Sequence, residues 1–189
     1  MPSGESIKQV LYSVIEEIGR ESIQLNISSN IMLSQKYLNI IMNQCIAKLS
    51  YVSDVYDRDL DIIVLSEALL HYMLTISTLL SERKVEIKHD QALDIVIPSL
   101  PILKKDPNKS LVIQVIKDKE ADLTVIDRLE SLQPYSQNIW CISARPLSIA
   151  RYTEYSIFPN HHSHKYSNII TDIDEFLKLT NDKSFRFVP

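Results

Sequence analysis

The hydrophobic pattern of this chain changes its period at about residue 83, and that change limits the folds open to it. Upstream, apolar residues recur at three- and four-residue steps, the spacing that lines one face of a helix. Ile7, Val10, Leu11, Val14, Ile15 and Ile18 mark a first helix, and Gly19 is placed to stop it. Leu38, Ile41, Met42, Cys45 and Leu49 mark a second, from about Gln35 to Leu49, which Ser34 can cap. Leu65, Leu69, Tyr72, Met73, Ile76 and Leu80 mark a long third, about Leu60 to Ser81. The Ser/Asn-rich stretch 20–33 reads as a connection and 53–59 as a polar turn.

Downstream the pattern becomes that of strands. Val85-Glu86-Ile87 alternates, Leu93-Asp94-Ile95-Val96-Ile97 is β-branched and ends at Pro98, and Ile139-Trp140-Cys141-Ile142-Ser143 is a further strand. Leu111 to Ile116 is apolar on both faces apart from Gln114, as a central strand covered on both sides requires. Residues 98–110, with three prolines and several lysines, read as a loop. A helix is predicted from about Ala121 to Leu132, and a final one around Ile173, Phe176, Leu177 and Leu179. A fifth strand falls near Ser156–Phe158 or near Ile169–Ile170. The expected fold is therefore α/β: a small mixed sheet of four or five strands flanked by helices. Residues 1–58 form an N-terminal helical extension and 59–189 an α/β domain, the two packed as one compact unit because the third helix needs the sheet to bury its apolar face.

Composition removes several function classes. The only glycines are Gly4 and Gly19, too few for a phosphate-cradling loop, so dinucleotide-binding and P-loop sites are excluded. The same scarcity excludes a serine-nucleophile elbow. The net charge of −4 lacks the basic excess common in nucleic-acid binders and leaves only a local patch for that purpose. Cys45 and Cys141 fit no zinc or redox spacing and read as buried thiols. The start lacks a signal-peptide run, and no apolar stretch approaches the roughly 20 residues that span a bilayer, so a cytoplasmic location with no membrane partner is expected.

The run Leu93-Asp94-Ile95-Val96-Ile97, a connection, then Leu111-Val112-Ile113-Gln114-Val115-Ile116-Lys117 resembles the PD-(D/E)xK nuclease superfamily, which includes archaeal Holliday-junction resolvases and restriction endonucleases. The resemblance covers about residues 60–145. It implies a restriction-endonuclease-like sheet in which an aspartate and an acid on the next strand hold Mg²⁺, and a lysine two residues after the acid orients the nucleophile. Asp94 matches the metal-binding aspartate. Gln114 stands at the acid position and is neutral, and Ile116 stands where the lysine belongs. Lys117 is one residue late and faces the other way unless a bulge re-aims it; taking Lys117 as the lysine puts Val115 at the acid position. Glu67 on the third helix, or Glu86 on the first strand, is placed to lend the missing carboxylate. The resemblance thus implies Asp94, Gln114 and Lys117 as the catalytic set, Asp94 and Glu67 as metal ligands, Mg²⁺ as cofactor if the protein is active, and DNA as partner.

Two other features stand outside this pattern. Arg145 and Arg151, after the fourth strand, are candidates for phosphate contacts, in company with Tyr152. His161, His162 and His164 crowd a short loop and could ligate zinc, copper or nickel, although so short a loop rarely supplies a tetrahedral set. The basic tip Lys104, Lys105 and Lys109 reads as solvated. The broken motif favours a nuclease-fold protein that is catalytically inactive or weak. The competing reading, carried by the acidic balance and the apolar N-terminal helices, is a protein-interaction or assembly module that self-associates through those helices without nucleic acid.

Overall fold

The computed structural model describes residues 4–49, 58–88, 91–118, 124–127, 129–147 and 151–182. Its N-terminal half holds helices α1 (Gly4–Ile18), α2 (Arg20–Ser29), α3 (Leu33–Leu49) and α4 (Arg58–Ile76). The C-terminal half holds β1 (Glu82–Lys88), β2 (Gln91–Ile97), the short helix α5 (Leu100–Lys105) and β3 (Leu111–Val115). Then come a helical stretch α6 seen at 124–127, β4 (Ile139–Ser143), β5 (Thr153–Ser156), β6 (His164–Lys165) and α7 (Ile169–Asp182).

The six strands form one sheet in chain order, β1 to β6. β1, β2 and β3 pair antiparallel, whereas β3 through β6 pair parallel. The hairpin between β1 and β2 returns antiparallel, and the passage through α6 brings β4 back parallel to β3.

Strand side chains alternate between the two faces, and the clusters show what covers each. Ile95, Ile97, Leu111, Ile113, Val115, Trp140, Ile142 and Tyr155 join the buried residues of α1, α2, α3, α4 and α7 in the largest cluster. On the opposite face Leu93, Val96 and Val112 pack with Leu103 of α5 and with Leu129. Ile139 and Cys141 pack there with Ile116, Tyr152 and Ile126 of α6. β3 and β4 are buried at every position, in keeping with central strands covered on both sides. Truncating one of the fully buried residues to alanine costs about 2–5 kcal/mol in a core of this kind.

Several elements differ from the sequence reading. The Ser/Asn-rich stretch contains α2, because Ile23 and Ile27, four residues apart, are buried while Gln24 and Leu25 between them face outward. The proline-rich stretch contains α5 and a 3-10 turn, since proline is tolerated in a helix's first turn and Leu103 is buried. The third helix ends at Ile76, and Thr78 follows it with a left-handed φ of 54°. The sheet has six strands rather than four or five, and Ile169 and Ile170 begin α7 instead of forming a strand. The polar turn at 53–57 and the predicted helix start at 121–123 lie outside the described residues.

Among the described residues no helix is long and apolar enough to cross a membrane.

Candidate active site at the split between β2 and β3

The β2–β3 ladder ends at the pair Ile95↔Ile113, and beyond it the two strands part. Asp94 sits at the split. Its neighbours belong to different faces out of turn: Leu93 and Val96 pack on the α5 side, Ile95 and Ile97 on the α4 side. The side-chain alternation therefore slips at Asp94. Its carboxylate takes over part of the lost ladder, since Oδ2 accepts the backbone N–H of Val115 at 2.9 Å.

The hairpin register, Arg83↔Ile95 and Val85↔Leu93, places Lys84 of β1 directly across from Asp94. Lys84 Nζ donates to Asp94 Oδ1 and lies 2.6 Å from Glu67 Oε1 on α4. The other oxygen of the same carboxylate, Glu67 Oε2, lies 2.6 Å from Lys117 Nζ. Asp94 and Glu67 are both buried, at 7% and 9% exposure, while the lysine side chains keep 51% and 38% of theirs. Two buried carboxylates thus meet two ammonium groups that approach from the solvent side, and the charges balance.

That balance sets the proton affinities. Burial pushes the Glu67 carboxyl up, but hydrogen bonds from Lys117 and Lys84, with their charges, outweigh it and hold the group below its ordinary value. Burial pushes Lys84 down, and its bonds to Asp94 and Glu67 outweigh that and hold it above the ordinary lysine value. His71, one turn beyond Glu67 on α4, is pushed down to about 4, first by burial and then by the charge of Arg83. It is therefore neutral near pH 7.

The structure brings Asp94, Glu67 and Lys117 together. β3 ends at Val115, and Ile116 packs with Ile139 and Cys141 on the α6 side, so Lys117 falls on the α4 face without a bulge. The register that pairs Lys117 with Val115 is the one the geometry favours. Val115 carries no carboxylate, and among the described residues the carboxylate nearest Lys117 is that of Glu67, at 2.6 Å. Gln114 is buried beside Cys141 of β4, on the face opposite α4 by alternation; its Oε1 meets the Asp94 N–H at 3.4 Å. Glu86 is exposed on β1.

Arg145 and Arg151 are set apart from each other. Arg145 forms a two-pronged contact with Asp59, at 2.7 and 3.4 Å, and stacks over the Phe158 ring. It lines a groove of about 300 Å³ together with Lys117, Ile63, Ile116 and Ser143, so it borders the candidate site. Arg151 pairs with Glu130 at 2.6 Å, and Tyr152 OH lies 2.8 Å from the same glutamate and 3.2 Å from Asp127. His161 and His162 are exposed, and the ring of His164 lies against Tyr155. Among the described residues no group of three or more His, Cys, Asp or Glu side chains is arranged to hold a metal.

The donor set nevertheless suits a hard divalent cation. Mg²⁺ is commonly held by one or two carboxylates, with waters and substrate phosphates completing its shell. Asp94 Oδ1 and Glu67 Oε1 converge on a single nitrogen, which marks a point a cation can share between them. Lys84 is the residue that sequence reasoning missed. Its only signal was the hairpin register, which cannot be counted until the turn between β1 and β2 is fixed.

Comparison with solved structures identifies the fold. The chain matches the restriction endonuclease PspGI in complex with its substrate DNA, at a TM-score of 0.58 and 15% identity, over 92% of this chain and 93% of that one. It matches metal-depleted Ecl18kI in complex with uncleaved, modified DNA at a TM-score of 0.55 and 10% identity, over 92% of this chain and 79% of that one. No family model matches the sequence, and no curated protein does. The six-stranded mixed sheet, its flanking helices and its N-terminal helical part make this a restriction-endonuclease-like α/β fold.

Proposed function

We propose that this chain is a nuclease-fold protein of nucleic-acid metabolism that binds DNA and cleaves it weakly or not at all. The observation that carries this reading is the convergence of Asp94, Glu67 and Lys117 at the β2–β3 split. The DNA in both structural neighbours supports the choice of partner.

In this reading Asp94 and Glu67 hold Mg²⁺ or Mn²⁺. The metal, when bound, supplies an activated water and neutralises charge on the scissile phosphate. Lys117 would orient a water nucleophile and offset phosphate charge from the Glu67 side. Gln114, neutral and turned away from α4, supports Asp94 through the backbone and contributes no ligand charge. With the second carboxylate coming from α4 rather than from the central strand, activity is slow. Arg145, at the edge of the groove shared with Lys117, is the phosphate contact of choice, whereas Arg151 is committed to Glu130. A Holliday-junction-resolvase-like preference for branched DNA is the finer form of this proposal.

The test is a salt-titrated binding and cleavage assay on branched, double-stranded and single-stranded DNA with Mg²⁺ or Mn²⁺, using wild type and Asp94→Ala. Binding that weakens steeply with salt, with slow cutting abolished by Asp94→Ala, is expected. Neither binding nor cutting on any substrate would leave the second reading, an assembly module. Tyr12, Leu25 and Met32, exposed on or beside α1 and α2, favour that alternative, and light scattering would detect the oligomer it requires.

A further inference from the structure

We propose that Lys84 is a built-in counter-ion that occupies the cation position between Asp94 and Glu67, so that a divalent metal binds only when Lys84 leaves. This inference rests on the metal-site reading above and adds a regulator to it. Lys84 Nζ touches one oxygen of each carboxylate, the two oxygens a shared metal would take. An ammonium and a divalent cation cannot both sit between them. The lysine is held there by its backbone, whose φ of 49° is a left-handed conformation uncommon for residues other than glycine. Such a conformation persists when surrounding contacts impose it, and it tends to mark functional positions.

The exit is open. The Lys84 side chain keeps 51% of its exposure, so its long stem can carry the charge into solvent without unpacking the core. Lys117 remains on Glu67 Oε2 when Lys84 departs, so one positive charge stays in the cluster and the buried carboxylates are not left bare. A phosphate backbone entering from the solvent side would give the departing ammonium a new partner, which couples DNA arrival to metal loading.

The experiment measures Mn²⁺ alone, by titration calorimetry and by the loss of the free-ion resonance signal, on the full chain. Wild type, Lys84→Ala, Lys84→Gly, Lys84→Arg and Asp94→Asn are compared. Lys84→Gly removes the ammonium and also suits the left-handed backbone, so it guards against a variant that fails to fold. Loss of the competing charge tightens Mn²⁺ binding by about tenfold in the Ala and Gly variants, Lys84→Arg stays near wild type, and Asp94→Asn abolishes binding. Tightening below about fivefold in both neutral variants, with wild type still binding through Asp94, would overturn the role of Lys84 and leave the metal site standing. Absence of Mn²⁺ binding in every folded variant would overturn both.

Discussion

Asp94 and Glu154 are equally buried, at 7% exposure each, yet they are satisfied in opposite ways. Asp94, at the antiparallel end of the sheet, is met by the Lys84 ammonium and a single backbone N–H. Among the described residues Glu154, on β5 in the parallel half, is met by neutral donors: Ser143 Oγ at 3.0 Å and the Leu147 N–H at 2.5 Å. Ser143 Oγ is also 3.0 Å from Ser156 Oγ, which closes a small network. The difference teaches what each centre is for. A carboxylate held by a half-exposed lysine has a partner that solvent can reach. A carboxylate held by fixed dipoles serves to pin the loop after β4.

The sharpest way to break this comparison is to delete the neutral-donor centre. Glu154→Ala leaves the Leu147 N–H without its acceptor and the Ser143 hydroxyl with Ser156 alone, and is expected to destabilise the protein by about 2–3 kcal/mol. Urea unfolding measures this, and Mn²⁺ affinity should be unchanged; a loss of metal binding at full stability would mean that the two centres are one. Glu67→Ala should do the reverse. Its lysine partners can turn to water, so the loss is expected at about 1–2 kcal/mol, while Mn²⁺ binding by calorimetry falls at least tenfold.

Acid titration sharpens the comparison further. The imidazole of His71 has its folded pKa pushed down to about 4 from 6.5, so the unfolded chain takes up its proton first. Stability therefore falls as pH drops from about 6.5 to 4, on the order of 1 kcal/mol once partial exposure is allowed for. His71→Gln should flatten that portion of the curve. Glu67 acts lower down: its depressed pKa contributes stability above the ordinary carboxyl range, and this is lost as pH falls through the folded value. Only the Glu67→Ala variant should lack that last step.

The smallest effect is expected at Arg145. Its pairing with Asp59 is exposed, and Arg145→Ala should leave the urea midpoint where it is. In DNA binding it should lower the slope of log affinity against log salt by about one. An unchanged slope would remove Arg145 from the DNA path and leave Lys117 as the groove's contact.

Legibility in the sequence tracked the range of the forces involved. The first helix, the Leu93–Ile97 strand and β4 were readable because a periodic apolar face is written in neighbouring residues. α2 was not, because Ile23, Leu25 and Ile27 alternate with polar residues and show no helical face, and what makes them helical is burial of Ile23 and Ile27 against the rest of the N-terminal half. α5 was hidden by its prolines, whose helix-breaking effect does not apply in a first turn. The last strands were blurred because β5 and β6 are short and take their shape from pairing with β4 and with each other.

At the site the division is the same. Sequence alone determined that Asp94 lies on a strand, that Lys117 follows the central strand and that Gln114 brings no charge, since each depends on residues close in the chain. It also determined that no glycine-built phosphate cradle exists. Only the tertiary structure decided that Glu67 meets Asp94 across one lysine, that Lys117 shares its face, and that Lys84 stands between the two carboxylates. Local periodicity fixes which way a side chain points from its own element. Which charges then meet depends on hairpin register and on the packing of α4 against the sheet, and those are set by burial of apolar surface from the whole chain.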